Sequence, residues 1–254
     1  MKILLSPAKS IDMNVEVPSS SFSSPYFRSE ATQLSKKLAL VSKHKLMKLM
    51  GISESLAEIN VHRYRNFVLS DEQTEHVKPA AFIFTGEVYK GLDFATLSQK
   101  NQKYAQESLR ILSGLYGVLR PFDLIYPYRL EMGTSWQITP KIKNVYTFWG
   151  DKVAKQLELE MHVDEVIVNL ASNEYFKVLP KNSLKHRIIT PVFKEFKGAK
   201  YSIVMMYAKH ARGAMARYIV ENQIEDVDQL KAYNVDRYRF HQELSSNDVW
   251  IFTR

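Results

Sequence analysis

The residues with the greatest chemical capacity in this chain are its lysines and carboxylates. Cysteine is absent. That removes thiolate catalysis, disulfides, iron–sulfur clusters and cysteine-ligated zinc together, and it suits a reducing compartment. The seven histidines stand at 44, 62, 76, 162, 186, 210 and 241, without paired metal-ligand spacing on a convincing helix. Glu58 and His62 form an i, i+4 pair, but the repeated Glu-x-x-His of a di-iron bundle is missing. No resident metal and no cofactor is expected. No P-loop, dinucleotide fingerprint or nucleophile elbow occurs. What remains is acid beside lysine. Glu87, Glu131, Asp151 and Glu174 lie in segments dense in glycine and aromatic residues. Lys9 with Glu87 or Glu174 would supply the pair used by some base-excision enzymes, in which a lysine attacks the sugar carbon or a carboxylate activates water. The plainer alternative is that these carboxylates cap helices or pair with arginine.

The second chemical resource is positive charge, and its placement says more than its total. The formal net charge is +8, yet residues 177–217 alone hold ten basic residues and a single acid, Glu195. The rest of the chain is therefore close to neutral. A surface of this kind favours anions such as nucleic acid or nucleotides. Within the stretch, residues 207–221 fit a helix. At 100° per residue, Lys209, Gly213 and Ala216 share a face with Arg212 and Arg217 on its flanks, while Ala211, Ala214, Met215 and Tyr218 lie opposite. Small residues between cations would let a phosphate backbone come close, and arginine's planar fork matches phosphate oxygens.

A further run of lysines, at 36, 37, 43, 45 and 48, leads into Gly51-Ile52-Ser53-Glu54-Ser55-Leu56-Ala57-Glu58-Ile59. This order resembles the helix–hairpin–helix module, with Gly51, Ile52, Ala57 and Ile59 at matching places and Ser53 where a second glycine is usual. The element would span about residues 43–66. Such a hairpin turns backbone N–H groups and a helix N-terminus toward a phosphate without reading sequence, which makes Lys45, Lys48, Gly51 and Ser53 candidate DNA contacts. The same residues also fit ordinary capping, with Ser53 or Ser55 as N-cap and Ser55 with Glu58 as a capping box.

Six blocks carry a wider resemblance. They are Ser6-Pro7-Ala8-Lys9-Ser10; Thr85-Gly86-Glu87-Val88-Tyr89-Lys90-Gly91; Gly114-Leu115-Tyr116-Gly117 through Arg120-Pro121 to Tyr126-Pro127-Tyr128-Arg129-Leu130-Glu131-Met132-Gly133; Phe148-Trp149-Gly150-Asp151; Asn169-Leu170-Ala171-Ser172-Asn173-Glu174-Tyr175-Phe176; and Tyr207-Ala208-Lys209-His210-Ala211-Arg212-Gly213. Together they resemble the YaaA family of bacterial peroxide-stress proteins. The resemblance implies a cytoplasmic DNA-binding protein with a distinctive α/β fold, a helix–hairpin–helix element and a deep positive cleft. It also implies a role in limiting hydrogen-peroxide damage by keeping free iron low. It places Lys9, Lys90, Arg120, Arg129, Lys177, Lys209 and Arg212 at the cleft. Tyr89, Tyr126, Tyr128 and Tyr175 would then be available to stack on unpaired bases.

These side chains need a scaffold. Short apolar, β-branched or aromatic runs predict strands at 2–5, 81–84, 145–148, 165–170, 187–189, 201–206 and 249–252. Helical patterns fill 30–50, 54–67, 102–119, 151–161, 173–179 and 207–221. The interleaving predicts an α/β (α+β mixed) fold, a single compact domain over residues 1–254 with a mixed sheet and surrounding helices. A serine-rich seam at 18–25 and a polar break at 69–79 separate no complete cores. The amino-terminal apolar run is too short for a secretory signal and no window suits a membrane span, so a cytoplasmic, membrane-free monomer is expected. Two functions stand. One is a DNA-binding protein of the peroxide-stress response that grips duplex or distorted DNA mainly by its phosphates. The other is a glycosylase- or lyase-like enzyme acting on a nucleobase or nucleotide in the same cleft.

Overall fold

A computed structural model describes residues 1–18, 22–180, 183–198 and 200–254. Residues 19–21 of the serine-rich seam, and Lys181 of the basic stretch, lie outside the described residues. The chain begins in a strand, β1 (Lys2–Leu5), and continues through three helices, α1 (Arg28–Ala39), α2 (Lys43–Met50) and α3 (Glu54–Arg65). Short elements follow: β2 (Lys78–Pro79), α4 (Ala80–Ile83), α5 (Glu87–Leu92), α6 (Gln99–Ser108), β3 (Leu109–Ser113), β4 (Gly117–Leu119) and β5 (Leu124–Ile125). The final part holds α7 (Val145–Trp149), α8 (Lys152–Leu159), β6 (Ile167–Asn169), α9 (Asn173–Phe176), β7 (Ile188–Lys197), β8 (Lys200–Ser202), α10 (Met205–Asn222), β9 (Arg239–Phe240) and β10 (Val249–Thr253).

The main sheet runs in the order β4-β3-β1-β6-β7-β10-β9, with β8 paired to β7 off that path. β3, β1, β6, β7 and β10 are parallel neighbours. β4 and β9 pair antiparallel at the two edges. This is the mixed α/β sheet the sequence predicts. Every residue of β1, β3 and β6 is buried, as expected for central parallel strands covered on both faces. Taken alone, the parallel strands follow the chain order 2-1-3-4-5. The chain leaves β1 toward β3 and then crosses to β1's other side for β6. In open sheets of this kind the loops part at such a reversal, and the crevice at the carboxyl ends of the strands is where ligands bind.

Helix α10 runs back along this sheet. Its far end lies beside α6, where Tyr104 Oη donates to the Ile224 carbonyl at 3.0 Å and Gln223 Nε2 donates to Asn101 Oδ1 at 3.3 Å. Since α6 feeds the start of β3, α10 begins at the opposite, carboxyl edge. Its contact with α5 is backbone to backbone. A Cβ on Gly213 would stand 1.8 Å from the Val88 carbonyl oxygen, and one on Gly91 would stand 2.2 Å from that of His210. Gly213 and Ala216 are both buried. The sequence expectation that they open a path for phosphate is thus corrected: the space they leave is filled by α5.

Three predicted elements change type. Residues 81–83 belong to the single helical turn α4 rather than a strand, with Phe84 left in an isolated bridge to Ile11, and 145–148 belong to α7, whose N-cap Asn144 accepts from the Thr147 amide at 2.8 Å. Residues 102–119 split into the end of α6 and the hairpin β3–β4. All five residues of β3 are buried, Arg110 and Ser113 included, so no alternation of apolar and polar positions tells strand from helix here. The predicted helix 30–50 is two helices, divided where Ser42 caps α2 by accepting from the Lys45 amide at 3.4 Å.

α2 and α3 are joined by Gly51-Ile52-Ser53. Gly51 has φ +59° and ends α2, and Ser53, rather than Ser55, caps α3 by accepting from the Leu56 amide at 3.4 Å. Capping alone accounts for this turn. Lys43 spends its charge on Glu54, 2.7 Å away, at the very helix start a phosphate would approach. Gly51→Ala places a Cβ in the left-handed region, so a loss of about 1 kcal/mol is expected. Thermal unfolding should show the midpoint lower by roughly 2–4 °C.

Candidate functional site

The loops leaving β1 and β6 are pinned together at the reversal point. The Ser172 amide donates to Ser6 Oγ at 2.9 Å, the two hydroxyl oxygens are 3.3 Å apart, and Tyr89 Oη of α5 donates to the Ser6 carbonyl at 3.0 Å. From this knot the charged groups fan out. Lys9 Nζ lies 3.0 Å from Glu131 Oε2, and Arg129 Nη2 lies 3.2 Å from Oε1 of the same carboxylate. Glu174 accepts from the Gly133 amide at 3.0 Å, and its carbonyl accepts from Tyr146 Oη at 2.8 Å. Lys177 sits over the Tyr146 ring, 5.4 Å from its centroid.

Helix α3 joins this cluster through its last turn, where Tyr64 Oη donates to the Arg129 carbonyl. That contact sets Arg63 within electrostatic range of Arg129, and burial, together with that neighbouring cation, pulls the Arg63 guanidinium below its ordinary pKa. Among the described residues Arg63 has neither an ion pair nor a hydrogen-bond acceptor, and Arg129 Nε is buried without one. Buried polar groups are normally satisfied, and in this Arg129 Nε differs from Nη2 of the same guanidinium, which Glu131 engages.

The other wall is α10 with α5. On a wheel Arg212 falls among Ala208, Met215, Ala216 and Ile219, all buried. Its side chain therefore leaves the inward face, and long helical side chains run back toward the helix N-terminus, here the carboxyl edge of the sheet. Burial lowers the Arg212 pKa, and among the described residues the guanidinium has no carboxylate or acceptor. Lys209, one turn earlier, is exposed and unpaired among the described residues. Beside them Glu87 holds Lys90 at 2.7 Å, and that hydrogen bond keeps the Glu87 carboxyl below the usual range. A cleft of about 280 Å³ continues outward between Glu87, His210, Tyr207, Met206, Asp236 and Arg254.

The structure thus brings Lys9, Lys90, Arg129, Lys177, Lys209 and Arg212 to one edge of the sheet, and it leaves other candidates elsewhere. Arg120 follows β4, which runs antiparallel to β3, and so emerges at the opposite edge. There it holds Asp123 at 2.9 Å and covers the Tyr26 ring. Arg217 is spent on the end of α5, donating to the Asp93 carbonyl at 2.8 Å and pairing with Glu221 at 2.7 Å. Lys45, Lys48, Gly51 and Ser53 belong to the α2–α3 hairpin, whose tip stands about 15 Å along α3 from the Arg129 contact. Tyr89, Tyr126, Tyr128 and Tyr175 are all buried core residues, which corrects their expected availability for stacking. Arg63 is the residue the motif blocks miss. Its position is legible on the α3 wheel, but its neighbour Arg129 is remote in sequence.

For acid–base or nucleophilic chemistry the geometry is poor. Lys9 is 60% exposed and salt-bridged, unlike the desolvated lysines that act as nucleophiles. Glu87 is shifted away from the direction a general acid requires, and Glu174 is occupied by the Gly133 amide. Among the described residues no three His, Cys, Asp or Glu side chains are grouped to hold a metal ion. Among the described residues no helix is long and apolar enough to cross a membrane.

Residues 1–244 match the family model described as peroxide stress protein YaaA. The chain belongs to that family. A UPF0246 protein of Aliivibrio fischeri is 43% identical, covering all of this chain and 98% of its own length. One from Flavobacterium psychrophilum is also 43% identical over the full length of both. One from Ralstonia nicotianae reaches 46%, covering 99% of its length. All six motif blocks lie inside the peroxide stress YaaA match, and those at Lys9, Lys90, Glu131, Glu174 and Lys209 are the ones that the sheet gathers at its carboxyl edge.

Proposed function

We propose that this YaaA-family protein binds DNA by its phosphates across the crevice at the carboxyl edge of the sheet, and that its part in the peroxide-stress response runs through that binding. The observation that carries this is Arg212, a half-buried guanidinium with no acid or acceptor among the described residues. Supporting it is a second group of cations following the same strand ends, where Lys9 and Arg129 share one carboxylate and Arg63 adds a further charge near Arg129. An unpaired part-buried cation is destabilising unless something outside the protein completes it, and a polyanion would complete several at once. Protection from iron-dependent peroxide damage would then be indirect, through DNA occupancy.

The test is a titration of duplex DNA at graded salt. Each neutralised phosphate releases counterions, so log K should fall linearly with log salt at a slope of about −0.9 per contact. With Lys9, Lys177, Lys209 and Arg212 engaged, affinity should drop about 100-fold between 50 and 200 mM salt. A salt-independent affinity overturns the reading. Release of a product from base-modified DNA that disappears in Glu87→Gln would replace it with the enzymatic one.

A further inference from the structure

β7 runs past the sheet. Its register with β10 ends at Lys194, the Phe196 amide makes a last bond to the Arg254 carbonyl at 2.8 Å, and Glu195–Lys197 pair with β8. The projecting hairpin and the start of α10 carry Phe196, Tyr201, Ile203, Met205, Met206 and Tyr207, all exposed, with Met205 61% and Phe196 56% accessible. The Phe196 and Tyr201 rings meet edge-on at 5.2 Å. Exposed apolar residues scattered singly need no explanation, but six within twelve positions form a patch. Lys197 and Lys200 flank it, and the local acid, Glu195, is turned inward onto Arg254, with both carboxylate oxygens within 3.0 Å of Arg254 Nε. Arg254 also covers the Tyr207 ring at 4.8 Å, and Tyr207 and Met206 line the cleft shared with Glu87 and His210. The patch is therefore apolar, flanked by two lysines and continuous, through the cleft at Tyr207 and Met206, with the edge that carries Lys209.

We infer that the β7–β8 hairpin is a wedge that stacks Phe196 and Tyr201 on exposed bases, so that the protein prefers DNA with unpaired nucleotides to intact duplex. The inference rests on the DNA-binding reading above. Charge complementarity with a polyanion selects nucleic acid, and aromatic rings at a protruding tip supply the base-stacking surface such ligands use.

The test compares full-length protein with Phe196→Ser/Tyr201→Ser on an oligothymidine strand, a bulged duplex and an intact duplex. The variant should bind the first two about tenfold more weakly, keep intact-duplex affinity within about twofold, and leave the salt slope unchanged because no cation is lost. A second variant, Phe196→Trp, reports directly. Trp136, Trp149 and Trp250 are buried, so quenching on adding bulged DNA, and not intact duplex, comes from position 196. Unquenched emission, or equal affinity of wild type and double variant for all three ligands, overturns the wedge while the phosphate reading stands. Loss in the variant of binding to phosphatidylglycerol vesicles, with DNA binding intact, overturns it in favour of a membrane contact. If the wild type binds none of the DNA ligands, the phosphate reading fails first.

Discussion

Replacing Lys209 and Arg212 together by glutamine is expected to weaken duplex binding about 60-fold at 0.1 M salt and to lower the salt slope by about 1.8, two phosphate contacts' worth. Stability should move the other way or not at all. Arg212 is a half-buried charge that nothing among the described residues neutralises, and removing an uncompensated charge relieves its desolvation. A residue kept for packing would show the opposite pattern, unfolding more readily with no specific effect on the slope. Fluorescence anisotropy across salt concentrations, paired with thermal unfolding, separates the two. A loss of affinity below threefold would remove α10 from the DNA-binding wall. Lys90→Gln and Arg217→Gln are the internal controls. Their charges are already spent on Glu87 and Glu221, so their effect on DNA affinity should be small.

Gly213→Ala is expected to destabilise the fold by about 3 kcal/mol and to lower the unfolding midpoint by roughly 6–12 °C. The added methyl carbon would sit 1.8 Å from the Val88 carbonyl oxygen. That is backbone, so α5 and α10 must separate to admit it, and Lys209 and Arg212 move with the helix. DNA affinity measured below the unfolding transition should fall as well. An unchanged midpoint would mean that the helices do not meet so closely and that the glycine serves something else. Gly91→Ala meets the reciprocal obstacle at His210 and should behave alike.

Much of this protein could be read before its coordinates. β1 and β10 fall where alternating polar boundaries and β-branched residues place them, and α3, α8 and α10 follow their apolar period. Two ion pairs at i, i+3, Glu87 with Lys90 and Arg120 with Asp123, were also open to reading, since such pairs are neighbours on any turn of chain. Motif membership alone does not reveal them; the acid one turn away does. The misread segments have two causes. β3 and α4 are buried on every side, and an element with no solvent face imprints no period on its sequence. α7 has a solvent face at Thr147 but is only five residues long, too short to show a helical period.

Local chemistry, in short, is written in the order of residues, because capping, turn conformation and one-turn neighbours depend only on separations of a few positions. The family membership also belongs to that level. Which cations face one another does not. Lys9 meets Arg129 across Glu131, and Arg63 comes within electrostatic range of Arg129, only because β1 lies between β3 and β6 and α3 docks on the segment at Arg129. Packing alone decided whether Gly213 would face a phosphate or a helix. Sheet direction sent Arg120 to the far edge while leaving Arg212 inside with no partner among the described residues.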